Sequence, residues 1–108
     1  MTTEGVEGKT ALKADGHHVQ VMTLEPGATI PPHAHATGYI VYPHTDMHVI
    51  RTTHHAGKAV REDTVHATAL APYAVAATAP GYEITVTNKS DHIIVFGKIT
   101  HHPPKLGA

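Results

Sequence analysis

Turn signals recur about every ten residues along most of this chain, and short strand-like segments lie between them. Pro26-Gly27 and Pro80-Gly81 are strong turn dipeptides. Residues 19–24 and 82–87 alternate apolar and polar side chains, which is typical of a strand with one buried face. No segment carries a convincing pattern for a long amphipathic helix. The spacing therefore predicts an all-β fold of the sandwich or jelly-roll type.

The length of 108 residues fits one domain, and we expect a single domain over residues 1–108. The predicted strands span about residues 19–99, where we expect the barrel. Residues 1–16 and 101–108 are predicted to be flexible arms, which a dimer partner could order. The small residues of segment 73–79 leave a short helix open as an alternative to a strand.

The charge balance argues against two classes of partner. Eight Lys and Arg face nine Asp and Glu, so neither a nucleic acid nor an anionic membrane surface is expected. We expect a small molecule or a second copy of the chain instead. The chain has no cysteine, its first 16 residues lack the apolar region of a signal peptide, and no apolar run reaches the ~20 residues of a membrane span. These features predict a cytoplasmic protein.

The histidines carry the clearest chemical signal, because the chain contains twelve of them. Imidazole is a common neutral metal ligand and titrates close to neutral pH. His33 and His35 are two residues apart, so in an extended segment both rings project from one face and can approach the same ion. Tyr39 would begin the neighbouring strand, which makes it a candidate third group beside the pair. The sequence thus predicts half of a metal site at His33 and His35.

At these residues the sequence resembles the cupin superfamily. The first cupin motif is a glycine, five residues, His-x-His, three or four residues, a glutamate, and six residues to a glycine. Gly27, residues 28–32, His33 and His35 match it. Tyr39 stands at the glutamate position and Asp46 at the final glycine.

The second cupin motif ends in a glycine, two residues, a histidine, three residues and an asparagine. Gly81 and Asn88 match its ends, and Ile84 stands at the histidine position. The segment 38–46 is similar to that of small single-domain cupins associated with β-alanine degradation. The resemblance covers about residues 19–99 and implies a jelly-roll β-barrel of the cupin type.

The resemblance implies a metal-dependent enzyme and a homodimer. Cupins usually bind iron, manganese, nickel, copper or zinc through three histidines and a glutamate, and catalyse oxygenation, isomerisation, epimerisation, lyase or cyclisation reactions. This chain keeps two of those four ligands, His33 and His35. The other groups that could complete a site are Tyr39, His48 if its side chain points inward, and Glu83 if a bulge reverses its face.

Three hypotheses follow for the function. The first is an enzyme that acts on a small organic molecule in the barrel, with a divalent metal held by His33 and His35 and with Tyr39 or His48 moving a proton. The second is a metal-free cupin in which histidine and tyrosine act as acid and base. The third is a cupin that binds a small ligand without catalysis.

Overall fold

Two antiparallel sheets make up the part of the chain that the computed structural model describes, residues 4–14 and 16–101. The nine strands of this part are β1 (Val6–Ala14), β2 (His17–Leu24), β3 (Thr29–His33), β4 (Tyr39–Pro43), β5 (Met47–His55), β6 (Lys58–Ala67), β7 (Tyr73–Val75), β8 (Tyr82–Asn88) and β9 (Ile94–His101). One sheet has the order β1-β2-β9-β4-β7, and the other has the order β3-β8-β5-β6. Chain neighbours therefore often lie in different sheets, as expected for a jelly roll.

The core lies between the sheets and comes from the inward face of each strand. Alternation along a strand sends every second side chain inward, and the buried residues follow that period on β5 and β9. The buried cluster consists of Leu24, Val41, Met47, Val49, Ile94 and Phe96. Leu24 and Ile94 are fully buried and lie opposite each other in the β2–β9 register.

A tight turn connects β2 to β3 and directs the chain from one sheet to the other. The amide of Ala28 donates a hydrogen bond to the carbonyl of Glu25 at 3.0 Å. Pro26 and Gly27 occupy the two central positions, and Gly27 has a φ of 80°. A type II turn needs this left-handed conformation at its third residue, which explains the glycine. The turn brings β3, and with it His33, alongside β8.

The structure departs from the predicted N-terminal arm and decides between the strand and the helix left open for segment 73–79. Residues 6–14 form β1, which pairs along β2, although their own apolar pattern is weak. Segment 73–79 forms the short strand β7 at Tyr73–Val75, where pairing with β4 outweighs the helix propensity of alanine. Except for His101, which ends β9, the predicted arm 101–108 lies outside the described residues.

Within the described ranges, no helix is long and apolar enough to cross a membrane. The edge strands of the two sheets are β1, β7, β3 and β6. The homodimer expected from the resemblance stays a prediction.

The buried side chain of Asn88, with 1% of its surface exposed, connects β2 to the turn between β8 and β9 by hydrogen bonds. Its amide nitrogen donates to the carbonyls of Leu24 and His92, both at 3.0 Å. Its side-chain oxygen accepts from the amide of Ser90 at 2.8 Å and from the Ser90 hydroxyl at 2.6 Å. One side chain thus satisfies buried polar groups of β2 and of the turn between β8 and β9.

Asn88→Ala should therefore destabilise the fold, because it leaves these groups without partners. We expect a loss of about 2–3 kcal/mol in the free energy of unfolding, measured by urea denaturation. Lys89→Ala is the matched control, since Lys89 is exposed, and it should change stability by less than about 0.5 kcal/mol. Equal stability of the two variants would contradict this role of Asn88.

Candidate active site in the barrel

A cavity of about 710 Å³ lies between the two sheets. This volume is typical of pockets for small organic molecules, which span roughly 300–1,000 Å³. Most of its wall is aliphatic or aromatic. Its polar and titratable lining residues are Gln20, His33, His35, Tyr39, Arg51, Tyr73 and Lys98.

The chain brings His33 and His35 together, but not as one regular strand. β3 ends at His33, and His35 follows in the connection to β4. Two hydrogen bonds with Thr78 fix the backbone there: the amide of His35 donates to the Thr78 hydroxyl at 3.0 Å, and the amide of Thr78 donates to the carbonyl of His35 at 2.9 Å. The two imidazole rings meet edge to face with centroids 4.7 Å apart. Both histidines line the cavity.

The hydrogen bond of His33 determines which of its ring nitrogens is free. Its Nδ1 lies 2.9 Å from the carbonyl oxygen of Pro31. A carbonyl can only accept, so Nδ1 carries the proton in this contact. In the neutral ring this leaves Nε2 as the nitrogen with an available lone pair.

Lys98 of β9 lies directly beside His35. The Lys98 Nζ is 3.4 Å from Nε2 of His35, where the ammonium donates and the imidazole accepts in a long hydrogen bond. The same Nζ lies 5.0 Å from the centre of the Tyr39 ring, within range of a cation–π interaction. The rings of His35 and Tyr39 are 4.4 Å apart. Lys98, His35 and Tyr39 therefore form one cluster, named here the barrel triad.

The environment keeps His35 neutral. Burial, followed by the charges of Lys98, His33 and Arg51, lowers the pKa of His35 to about 4. Burial also lowers the pKa of Lys98. At neutral pH the imidazole of the barrel triad is thus unprotonated, and the charge of the neighbouring Lys98 contributes to this.

The two tyrosines in the cavity stay protonated at neutral pH. Burial raises the pKa of Tyr39, although the nearby charge of Arg51 acts in the opposite direction. The pKa of Tyr73 rises for the same reason, with a further contribution from Tyr39 and the same opposition from Arg51. Each phenol can therefore donate a hydrogen bond into the cavity, whereas a phenolate ligand to a metal is disfavoured.

The structure does not bring His48 into the cavity. Its neighbours Met47 and Val49 are buried and line the cavity, so His48 projects from the other face of β5. There its ring stacks on His66 of β6, with centroids 4.4 Å apart. The inward orientation on which its predicted role depended is not observed.

Glu83 also lies away from the cavity. It is exposed, while the next residue, Ile84, is 4% exposed and sits opposite His33 in the β3–β8 register. The register is irregular between Ile30 and His33, but β8 keeps the alternation that turns Glu83 outward. An apolar side chain therefore occupies the place beside His33 where a further ligand would be needed.

Two charged residues of the cavity were missed at the level of sequence, Arg51 and Lys98. Both follow the alternation of their strands: Arg51 continues the inward face of Met47 and Val49, and Lys98 shares the face of Phe96. The two-residue alternation of these strands was the sequence signal that could have identified Arg51 and Lys98 as cavity residues. Charged side chains are rarely buried, so composition points away from these two positions.

The cavity residues do not fit a resident metal ion. His33 and His35 are the only histidines among them, and no Asp or Glu lines the cavity. The apolar side chain of Ile84 lies opposite His33, where a third metal ligand would be needed. The ammonium of Lys98 occupies the accepting nitrogen of His35 and would repel a cation. Within residues 4–14 and 16–101, no three His, Asp or Glu side chains are grouped so that they could hold a metal. Zinc enzymes usually supply three protein ligands.

Several solved structures similar to this chain are described as cupins. A cupin domain from Bordetella pertussis Tohama I superposes with a TM-score of 0.73 at 24% identity, over 94% of this chain and 97% of that one. An RmlC-like cupin with a double-stranded β-helix fold from Methanocaldococcus jannaschii has a TM-score of 0.67 at 13% identity, over 95% and 86%. No family model and no curated protein matches the sequence.

The chain therefore has the cupin fold, the double-stranded β-helix, which confirms the all-β jelly roll predicted from the sequence. Its extent is that of a small cupin. A variant of oxalate decarboxylase from Bacillus subtilis is also similar, with a TM-score of 0.68 and 22% identity over 93% of this chain, but the match spans only 26% of that enzyme.

The pKa of His35 can be measured by NMR titration of the assigned imidazole signals. We expect a value near 4 in the native protein. Lys98→Met removes one of the charges that oppose protonation, so the pKa of His35 should rise towards 6.5. Lys89→Met removes an exposed lysine and should leave that pKa unchanged. A native pKa near 6.5 would contradict the arrangement of the barrel triad.

Proposed function

We propose that this protein is a metal-independent cupin that binds a small organic molecule in its barrel and transfers a proton with His35 and Tyr39. The observation that carries the proposal is the 3.4 Å contact between Lys98 and the accepting nitrogen of His35. That contact puts a cation where a metal ion would have to approach. It also leaves the imidazole in its neutral form.

The barrel triad supplies the groups that acid–base chemistry needs. Once Lys98 turns from His35 to a bound substrate, the freed Nε2 lone pair of His35 can accept a proton from a carbon or oxygen acid. The protonated phenol of Tyr39 donates a proton or stabilises a developing oxyanion by a hydrogen bond. His35 and Tyr39 lie side by side at the cavity wall. The adjacent ammonium of Lys98 stabilises negative charge that develops on the substrate. Reactions that move a proton without changing oxidation state, such as isomerisation or dehydration, fit these groups.

Adding the missing third ligand tests the metal-independent part of the proposal. Ile84→His places an imidazole opposite His33, so it should raise the affinity for Co²⁺ by at least about tenfold, read from the visible absorption of the bound ion. The protein should be prepared without a histidine tag. The native protein should show no stoichiometric Co²⁺ band.

Glu83→His is the matched control, because it adds a histidine on the exposed face of the same strand. It should leave Co²⁺ affinity in the barrel unchanged. One equivalent of tightly bound Co²⁺ in the native protein, lost in His33→Ala, would contradict metal independence.

Solvent deuterium exchange tests the proton transfer directly. In D₂O with EDTA, the protein should accelerate loss of the acidic C–H signals of one or more members of a panel of small ketones and 2-oxo acids, followed by proton NMR. His35→Gln should reduce that rate by about a hundredfold, a typical contribution of a positioned base. Lys89→Met should keep the native rate. Exchange no faster than in buffer for the whole panel, or exchange abolished by EDTA, would argue against the proposal.

A further inference from the structure

We propose that the molecule held in the cavity is a small organic carboxylate, with its carboxylate group between Lys98 and Arg51 and its apolar body against the cavity walls. This inference rests on the proposed function, because it places the anion at the same metal-independent site. It adds the chemical class of the substrate.

The two cations reach the cavity from opposite walls. Lys98 belongs to β9 in the five-stranded sheet, and Arg51 belongs to β5 in the four-stranded sheet. Both side chains line the cavity and both residues are partly buried. Their positive charges therefore act on the same enclosed space.

Within the described ranges neither cation forms an ion pair, and Asp63, which lies opposite Arg51 in the β5–β6 register, pairs with Arg61. The ion pairs within the described ranges are Lys9 with Glu7, Arg61 with Asp63, and His92 with Asp91. Lys98 and Arg51 take no part in them, and no carboxylate lines the cavity. Partly burying two like charges without a counter-charge in direct contact costs stability. A bound anion offsets that cost, which is why the arrangement favours an acidic ligand over a neutral one.

The rest of the cavity favours an organic anion over an inorganic one. Its wall includes Met22, Ile30, Val49, Val65, Val86 and Phe96, none of which can hydrogen-bond to a ligand through its side chain except weakly through sulfur. These surfaces gain free energy by covering an apolar body. The guanidinium of Arg51 matches the two oxygens of a carboxylate, and the ammonium of Lys98 adds a point charge.

The experiment compares acids with amides of the same shape. Isothermal titration calorimetry in EDTA would use hexanoate, 4-methylpentanoate and phenylacetate, each against its primary amide, together with acetate and inorganic phosphate. At least one of the three acids should bind at least about tenfold more tightly than its amide, because a charged hydrogen bond is lost in the amide. Acetate and phosphate should bind more weakly than that acid.

Variants on the two sheets test the residues separately. Lys98→Met and Arg51→Met should each weaken binding of the acid by about tenfold or more and leave the amide unchanged. Lys89→Met is the control and should bind like the native protein. Circular dichroism verifies the fold, and if one variant fails to fold, the other, on the opposite sheet, carries the test.

The outcomes separate this inference from the proposed function. Equal affinity for acids and amides, or no binding of any acid at millimolar concentration, overturns the carboxylate inference and leaves the cobalt and deuterium tests standing. Acid binding in EDTA that depends on Lys98 and Arg51 supports the inference even if no exchange is catalysed. Binding that EDTA abolishes and a divalent metal restores overturns both.

Discussion

The Lys98 ammonium group lies inside a largely apolar cavity, and the chemistry of the site follows from that position. Burial of a lysine is expensive because the charge loses water. Here three interactions compensate the ammonium: the ring nitrogen of His35, the face of Tyr39 and partial contact with solvent. The first of them also occupies a nitrogen that a metal ion would need. The same interaction that accommodates Lys98 therefore keeps His35 neutral.

The surrounding barrel makes this arrangement rigid. β9 pairs with β2 and β4 on its two sides, which fixes where Lys98 enters the cavity. Thr78 holds the backbone of His35 through two hydrogen bonds. An anion bound near Lys98 and Arg51 would screen their charges and raise the pKa of His35, so ligand binding and the basicity of the imidazole are coupled.

Much of the fold could be predicted from the sequence, because turn dipeptides and alternating segments are local signals. Pro26-Gly27 forms the turn that its residues predict, and segment 82–87 lies within β8. β1 was not predicted, since its stability comes from pairing with β2 and not from its own pattern. β7 consists of only three residues and depends on β4 in the same way.

The candidate site could be predicted only in part. His33, His35 and Tyr39 come together because they are close in the chain and follow a motif, whereas Lys98 lies 63 positions from His35. His48 and Glu83 were candidates only if their side chains point into the barrel. The sequence does not fix that direction, because a shift of one residue exchanges the two faces of a strand. In the structure the residues next to them in the chain point inward: Met47 and Val49 beside His48, and Ile84 beside Glu83. His48 and Glu83 therefore point outward.

Two cations, and no metal ion, are proposed to hold the ligand in this barrel. A crystal structure grown with phenylacetate and Zn²⁺, with anomalous data at the zinc edge, tests this proposal most directly. We expect the carboxylate between Lys98 and Arg51 and no anomalous peak at His33 and His35. A zinc peak at coordination distance from both imidazoles, with the carboxylate bound to it, would rule out a metal-independent site.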